Sequence, residues 1–333
     1  THQRNSRIVG VRQKRDHFFQ GRTRNMKLSI AAVREKFLRL QNEICGALST
    51  LDGGTDFHGK DLESFGGGLS RPRVLSDGNH IEKAAVQFTH SLGESLPPAA
   101  TERTPALEGF PFQATSISVI VHPRNPHVPT THMNLRFFLI EAEVPVWYFG
   151  GGFDLTPYYP YREDVVQWHQ NARSACGSDE RYRNLKTQCD DYFFLPHRGE
   201  SRGVGGLFFD DWNEGGFESS YLFVSGVGDA FLLGYKPIFL RRMNTVWSED
   251  EEHWMLLRRG RYAEFNLAID RGTRYGMQSG RRIESVLASL PPRAVWMYDH
   301  QPEPGSREAE LILDYLQPRD WLETSAKSKD IDL

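Results

Sequence analysis

The chain has 333 residues, 39% hydrophobic and 25% charged, with a net charge of −3. Such a chain can bury a sizeable core, and its near-neutral balance gives no global electrostatic case for nucleic acid. No unbroken apolar run of about 18 residues marks a membrane span, and three distant cysteines, Cys45, Cys176 and Cys189, match no metal spacing and suggest buried thiols in a reducing compartment.

Residues 1–25 carry Arg4, Arg7, Arg12, Lys14, Arg15, Arg22 and Arg24 against a single acid, Asp16. This reads as a basic, disordered extension, with a targeting segment as the alternative. No linker or internal repeat follows, so 26–333 is expected to form one domain. Val33, Phe37, Leu40, Ile44 and Leu48 recur at helical spacing. The Gly, Pro and polar content of 52–80, 91–113 and 299–307 predicts loops. Within the first, Gly66-Gly67-Gly68 precedes Arg71-Pro72-Arg73 without matching a P-loop.

Thr115–His122 alternates, with Ile117, Val119 and Val121 on one face and Ser116, Ser118, Ile120 and His122 on the other. His132–Ile140 does the same, placing His132, Asn134, Arg136 and Phe138 opposite Met133, Leu135, Phe137 and Leu139. A proline-rich connector makes the two an antiparallel pair. Trp147–Tyr159 leads aromatics into Gly150-Gly151-Gly152 and then Asp154, and reads as a strand ending in a turn or a place of close approach. Helical stripes follow in 163–176, with His169 on the apolar side, and in 182–196. Gly206–Asp210 reads as a short apolar strand, Tyr262–Asp270 as a third alternating strand and Ala294–Tyr298 as another strand. Ala309, Ile312, Leu313 and Leu316 read as a C-terminal helix. The class is α+β, with helices packed on a sheet.

Ser118, His122, His132, Asn134 and Arg136 share one face of two neighbouring strands, which is either a wet sheet face or a lined site. His122, His132, His169 and His197 would suit a transition metal if they converged, although their spacing is not diagnostic. Arg136, Arg271, Arg274, Arg281 and Arg282 form a candidate cluster for an anionic ligand, and Asp270 beside them suggests that the ligand also offers N–H donors.

On several long motifs the chain resembles the oxygen-dependent coproporphyrinogen III oxidases. These are His122–His127 with Pro129–His132, Trp147–Tyr159, Cys189–Phe193, Gly203–Asp211, Arg258–Asn266 and Asp270–Thr273. The resemblance implies oxidative decarboxylation of two propionates of coproporphyrinogen III to vinyl groups, with dioxygen as co-substrate. It implies a large antiparallel sheet sandwiched between helices, no required organic cofactor, a possible divalent metal, and a homodimer to which the C-terminal stripe contributes. By the same resemblance His132, Asp270 and Arg271 would be catalytic. Ser118, Asn134, Leu135, Arg136, Gly280, Arg281 and Arg282 would bind substrate, and His122, His132, His169 and His197 would be the metal set. The lack of a disulfide pattern fits a cytoplasmic location, or a mitochondrial one if 1–25 is a targeting segment. Departures from the family pattern at 62–65 and 84–89 motivate the alternative of a non-catalytic tetrapyrrole-binding protein on the same fold, and Arg281 departs where the family usually has Gly or Ser. A histidine-metal hydrolase is a third reading, from the four histidines alone.

Overall fold

Helix α1 spans Ile30–Leu51 because its apolar residues fall on one stripe: Val33, Phe37, Leu40, Ile44 and Leu48 are all buried. Ser29 caps it, its hydroxyl accepting from the Ala32 amide at 3.2 Å. The structure, a computed structural model, describes residues 26–95, 109–278 and 282–323. The expected basic extension 1–25 lies outside the described residues, as do Gly280 and Arg281.

The strands are β1 Leu62–Ser64, β2 Gly68–Ser76, β3 Ile81–Gly93, β4 Phe112–Pro123, β5 Thr130–Ile140, β6 Val146–Thr156, β7 Phe194–Leu195, β8 Glu200–Ser201 and β9 Gly205–Trp212. Seven form one antiparallel sheet in the order β1-β2-β3-β4-β5-β6-β9, and β7 with β8 makes a separate small hairpin. The two faces of the large sheet differ in chemistry. Val86, Val119, Leu135, Phe137, Phe153 and Leu207 belong to one buried apolar cluster with α1. That cluster also takes in α2 (Arg162–Cys176) and α4 (Gly216–Arg242); Trp168 of α2 meets Phe153 edge-on at 4.9 Å.

The opposite face is only partly covered. Its roof is the end of α3 (Asp179–Tyr192), α5 (Glu249–Glu264), a π-turn over Phe265–Ile269, α6 (Arg271–Gln278) and α7 (Ile283–Val286). Two small clusters join roof to sheet: Tyr262 and Ala288 on Ala85 and Ile120, and Phe193 and Phe265 with Phe208. Helices on both faces of an antiparallel sheet give the α+β sandwich expected above.

The paired strands 115–122 and 132–140, the helices and the short strand before Asp210 form as the patterns predict. Several expectations do not hold. Tyr262–Asp270 is not a strand; it is the last turn of α5 and the π-turn. The buried residues there, Tyr262, Ala263, Phe265 and Asn266, follow helical spacing, and Leu267 is exposed. The helix starts well upstream, on a Ser248–Glu251 capping box with four acids in its first turn, and propagates cooperatively through the ambiguous stretch. Segment 52–80 is not a loop but holds β1 and β2, so Arg71-Pro72-Arg73 pairs with β3. Likewise 91–93 ends β3 and 112 begins β4. Ala294–Tyr298 forms no strand; it leaves Trp296, Met297 and Tyr298 exposed. The C-terminal stripe is helical, as α8 (Arg307–Glu310) followed by a π-turn over Leu311–Tyr315. Ala309 and Leu316 are buried within the chain itself, Ile312 packs on the core and Leu313 is exposed.

Helix α4 was not foreseen, because it is apolar on nearly every side and shows no stripe. It is long and apolar enough to cross a membrane, yet half of that stretch is buried in the core of this fold.

The glycine triplet lies in the middle of β6, not at a turn. Gly151 and Gly152 have φ of +148° and +146°, and a Cβ on Gly152 would sit 1.9 Å from the Leu207 carbonyl oxygen of β9. Gly152→Ala is therefore expected to cost about 3 kcal/mol or more of unfolding free energy. Gly46→Ala in α1, where a Cβ meets nothing within 4 Å, should be neutral or stabilising by about 0.5–1 kcal/mol. Denaturant titration of both variants checks the contrast.

Candidate active site

Strand register lines up the polar residues in rows. Gln87, Ser118, Asn134, Gly152 and Phe208 stand abreast on β3, β4, β5, β6 and β9. The next row towards one strand end holds Thr89, Ser116, Arg136 and Gly150; the next towards the other holds Ile120, His132, Asp154 and Gly206. Ser118, His132, Asn134 and Arg136 are half-buried and share one face, as expected. Leu135 does not join them. Its side chain lies on the other face, wholly buried in the core, because alternate residues of a strand point to opposite sides. Gly150 has its own reason to lack a side chain: a Cβ there would lie 2.6 Å from the Arg136 guanidinium, which rests against the bare backbone.

His132 is held from below. Its Nδ1 donates to Asp154 Oδ1 at 2.9 Å. Asp154 is buried, and Arg202 Nη2 donates to both of its oxygens at 2.8 Å. Arg202 is itself buried, donates to Asn266 Oδ1 at 2.9 Å and lies over the rings of Phe193 and Tyr262 at 4.2 and 4.5 Å. Burial pushes the Asp154 carboxyl up, but the Arg202 charge and the His132 contact outweigh it, so the net shift is downward and Asp154 stays ionised. An ionised Asp154 fixes the proton on Nδ1 and leaves Nε2 as the basic nitrogen of the neutral ring.

The roof supplies Asp270 and Arg271. Asp270 is not the end of a strand but the cap of α6: Oδ2 accepts from the Thr273 amide at 2.6 Å, and Oδ1 accepts from the Tyr192 hydroxyl at 2.9 Å. Burial, then the Asp270 charge, raises the Tyr192 phenol to about 12, so it remains a donor. Arg271 does not pair with its neighbour. Its Nη2 reaches Asp210 Oδ2 at 3.1 Å, and its guanidinium lies 4.9 Å above the Tyr192 ring. Tyr192 in turn stacks on Phe208 at 4.2 Å. Arg136 meets the same acid, Nη2 to Asp210 Oδ1 at 2.7 Å, and Nη1 donates to Asn134 Oδ1 at 3.2 Å. The fold thus gathers Ser118, His132, Asn134, Arg136, Asp270 and Arg271 around one partly open cleft between sheet and roof. Arg282, exposed, pairs instead with Glu284 at 3.0 Å.

Sequence reasoning missed Asp154, Arg202, Asp210, Tyr192 and Phe208. The available signal was position: all five lie in or next to the motif stretches, and Asp154 has the same strand parity as Gly150 and Gly152.

The four histidines do not converge. His122 is buried between Thr130 Oγ1 at 3.1 Å and the Ser289 carbonyl at 3.0 Å. His169 belongs to α2 on the far side of the sheet, bonded to the Val204 carbonyl and the Tyr182 hydroxyl, each at 2.9 Å. His197 is exposed and meets Glu264 at 2.9 Å. Among the described residues no group of three or more His, Cys, Asp or Glu is placed to hold a metal ion. The four-histidine set does not fit a shared metal, and no step is assigned through one.

A family model described as coproporphyrinogen III oxidase matches residues 32–321, most of the chain.

Burial pushes His169 down to about 3, and His122 also well below its usual value. The unfolded chain therefore binds more protons than the folded one below about pH 6.5. Stability should fall as pH drops from there towards 3, by about 1.4 kcal/mol per pH unit for each such histidine. His169→Gln should flatten the slope by about one proton's worth, measured by urea unfolding between pH 7 and 4.

Proposed function

The chain belongs to the coproporphyrinogen III oxidase family, whose members act on coproporphyrinogen in heme biosynthesis, and from that premise we propose that it carries out the oxygen-dependent reaction. Two propionate side chains become vinyl groups, giving protoporphyrinogen IX. In each round the bond to the carboxyl carbon breaks, as does a C–H bond on the carbon next to the ring. The two side-chain carbons gain a double bond, carbon dioxide leaves, and dioxygen takes up two electrons and two protons as hydrogen peroxide.

The observation that carries the reading is the convergence of Arg136 and Arg271, from separate elements, beside the carboxylate of Asp270. Guanidinium groups suit a propionate. Asp270 uses one donor on each oxygen, and a carboxylate accommodates roughly four, so it can still accept pyrrole N–H groups. In this reading Ser118 and Asn134 contact the substrate, His132 moves a proton through Nε2, and Asp154 with Arg202 holds that ring in place. The reduced tetrapyrrole is electron-rich, so the protein's task is positioning and proton handling, with no organic cofactor or metal required. A homodimer and a cytoplasmic location belong to the same proposal; the first rests on the family resemblance, with exposed Leu313 available to a partner, and the second on the lack of a disulfide pattern.

Purified protein given coproporphyrinogen III should form the divinyl product in air and none under anaerobic conditions. Binding without turnover in air would favour a carrier instead. Asp270→Asn keeps a good helix cap but removes charge and basicity, so kcat should fall roughly 10²–10³-fold with little change in melting temperature. Arg136→Ala should chiefly raise KM. Near wild-type kcat in a folded Asp270→Asn would refute the role of that carboxylate.

A further inference from the structure

Among the described residues, three arginine–acid pairs between distant segments are shut away from solvent. Side-chain exposures are 2% and 2% for Arg202–Asp154, 5% and 7% for Arg258–Glu200, and 0% and 8% for Arg259–Glu82. Asp210 is more open than these three. Its side chain is 24% exposed, and its two partners, Arg136 and Arg271, are 36% and 48% exposed. It stands on β9, while its partners come from β5 and α6, so one carboxylate bridges the sheet and the roof at the open part of the cleft.

The geometry is that of a bound carboxylate. One oxygen takes Arg136 Nη2 at 2.7 Å and the other takes Arg271 Nη2 at 3.1 Å. A propionate seated between these arginines would make the same contacts. Two guanidinium groups and one carboxylate leave the trio a single net positive charge, enough to match one further carboxylate.

We propose that Asp210 is a resident counter-ion of the propionate site, occupying both arginines in the absence of substrate and limiting how tightly they hold a substrate carboxylate. This rests on the functional reading above. Under that reading the divinyl product still carries two propionates, so arginines without a counter-ion would bind product as well as substrate. The resident acid weakens both. It also keeps the two guanidinium groups from repelling each other before substrate arrives, so Asp210 acts through its neighbours as a positioning residue.

The test is equilibrium binding of coproporphyrin III, the aromatised tetracarboxylate that cannot react, followed by its fluorescence at low and high salt. Wild type is compared with Asp210→Asn, which removes the charge and keeps the shape, and with Asp210→Glu, which keeps the charge. Asp210→Asn should bind about 3- to 10-fold more tightly, with a steeper salt dependence and a lowered KM for coproporphyrinogen III. Asp210→Glu should return towards wild type. A purely structural role would loosen binding in the Asn variant, and unchanged or weaker affinity in a folded Asp210→Asn overturns the proposal. Should that variant not fold, Asp210→Ser removes the same charge and is judged by the same affinity. If wild type neither binds coproporphyrin III nor turns over coproporphyrinogen III, the functional reading falls, and this inference falls with it. If wild type does both and the neutral variants bind no tighter, this inference alone is wrong.

Discussion

The ion pair of Asp154 and Arg202 is the constraint on which the cleft depends. Both side chains are 2% exposed, and neither could remain charged there without the other. Arg202 enters from the loop between β8 and β9, threads between Phe193, Tyr262 and Phe265, and reaches Asn266 on the π-turn. Asp154 belongs to β6 and carries His132 of β5. One buried contact therefore ties sheet to roof and sets the orientation of the ring that faces the cleft. Loss of either partner would strand a buried charge, a much larger penalty than loss of a surface pair.

The sheet does two jobs because its faces are chemically unlike. The apolar side is sealed by α1, α2 and α4, and carries the bulk of the hydrophobic core. The other side is covered only in patches, which leaves its polar side chains partly exposed. Glycines at 150, 151 and 152 permit the close contacts that this arrangement needs. Gly150 admits the Arg136 guanidinium, and the next two let neighbouring strands approach where a Cβ would meet a carbonyl oxygen.

Electrostatics in the cleft is graded by depth. Asp154 is fully compensated and buried. Asp270 is held by neutral donors, a phenol and a backbone amide. Asp210 is shared by two arginines near the open side. Each of the three acids thus has a different environment.

Much of this was legible in the chain itself. Alternation at 115–122 and 132–140 determined two neighbouring strands and put His132, Asn134 and Arg136 on one face, because a strand's side chains alternate whatever packs around it. The stripe of α1 and the absence of a disulfide pattern were equally local matters, and all three cysteines are free. Segment 262–270 was not legible. Over so few residues a period of two and a helical period overlap, and the choice fell to a helix nucleated at Ser248. Helix α4 gave no pattern because its exposed side also carries large apolar residues, Leu222, Leu233 and Leu240, which erase the periodicity. Which acid meets which arginine was decided only by the tertiary structure. Arg271 lies next to Asp270 in the chain but pairs with Asp210, 61 positions away. Adjacent residues at a helix start point in different directions, and ion pairs form between side chains that the packed sheet and roof bring within reach, not between neighbours in sequence.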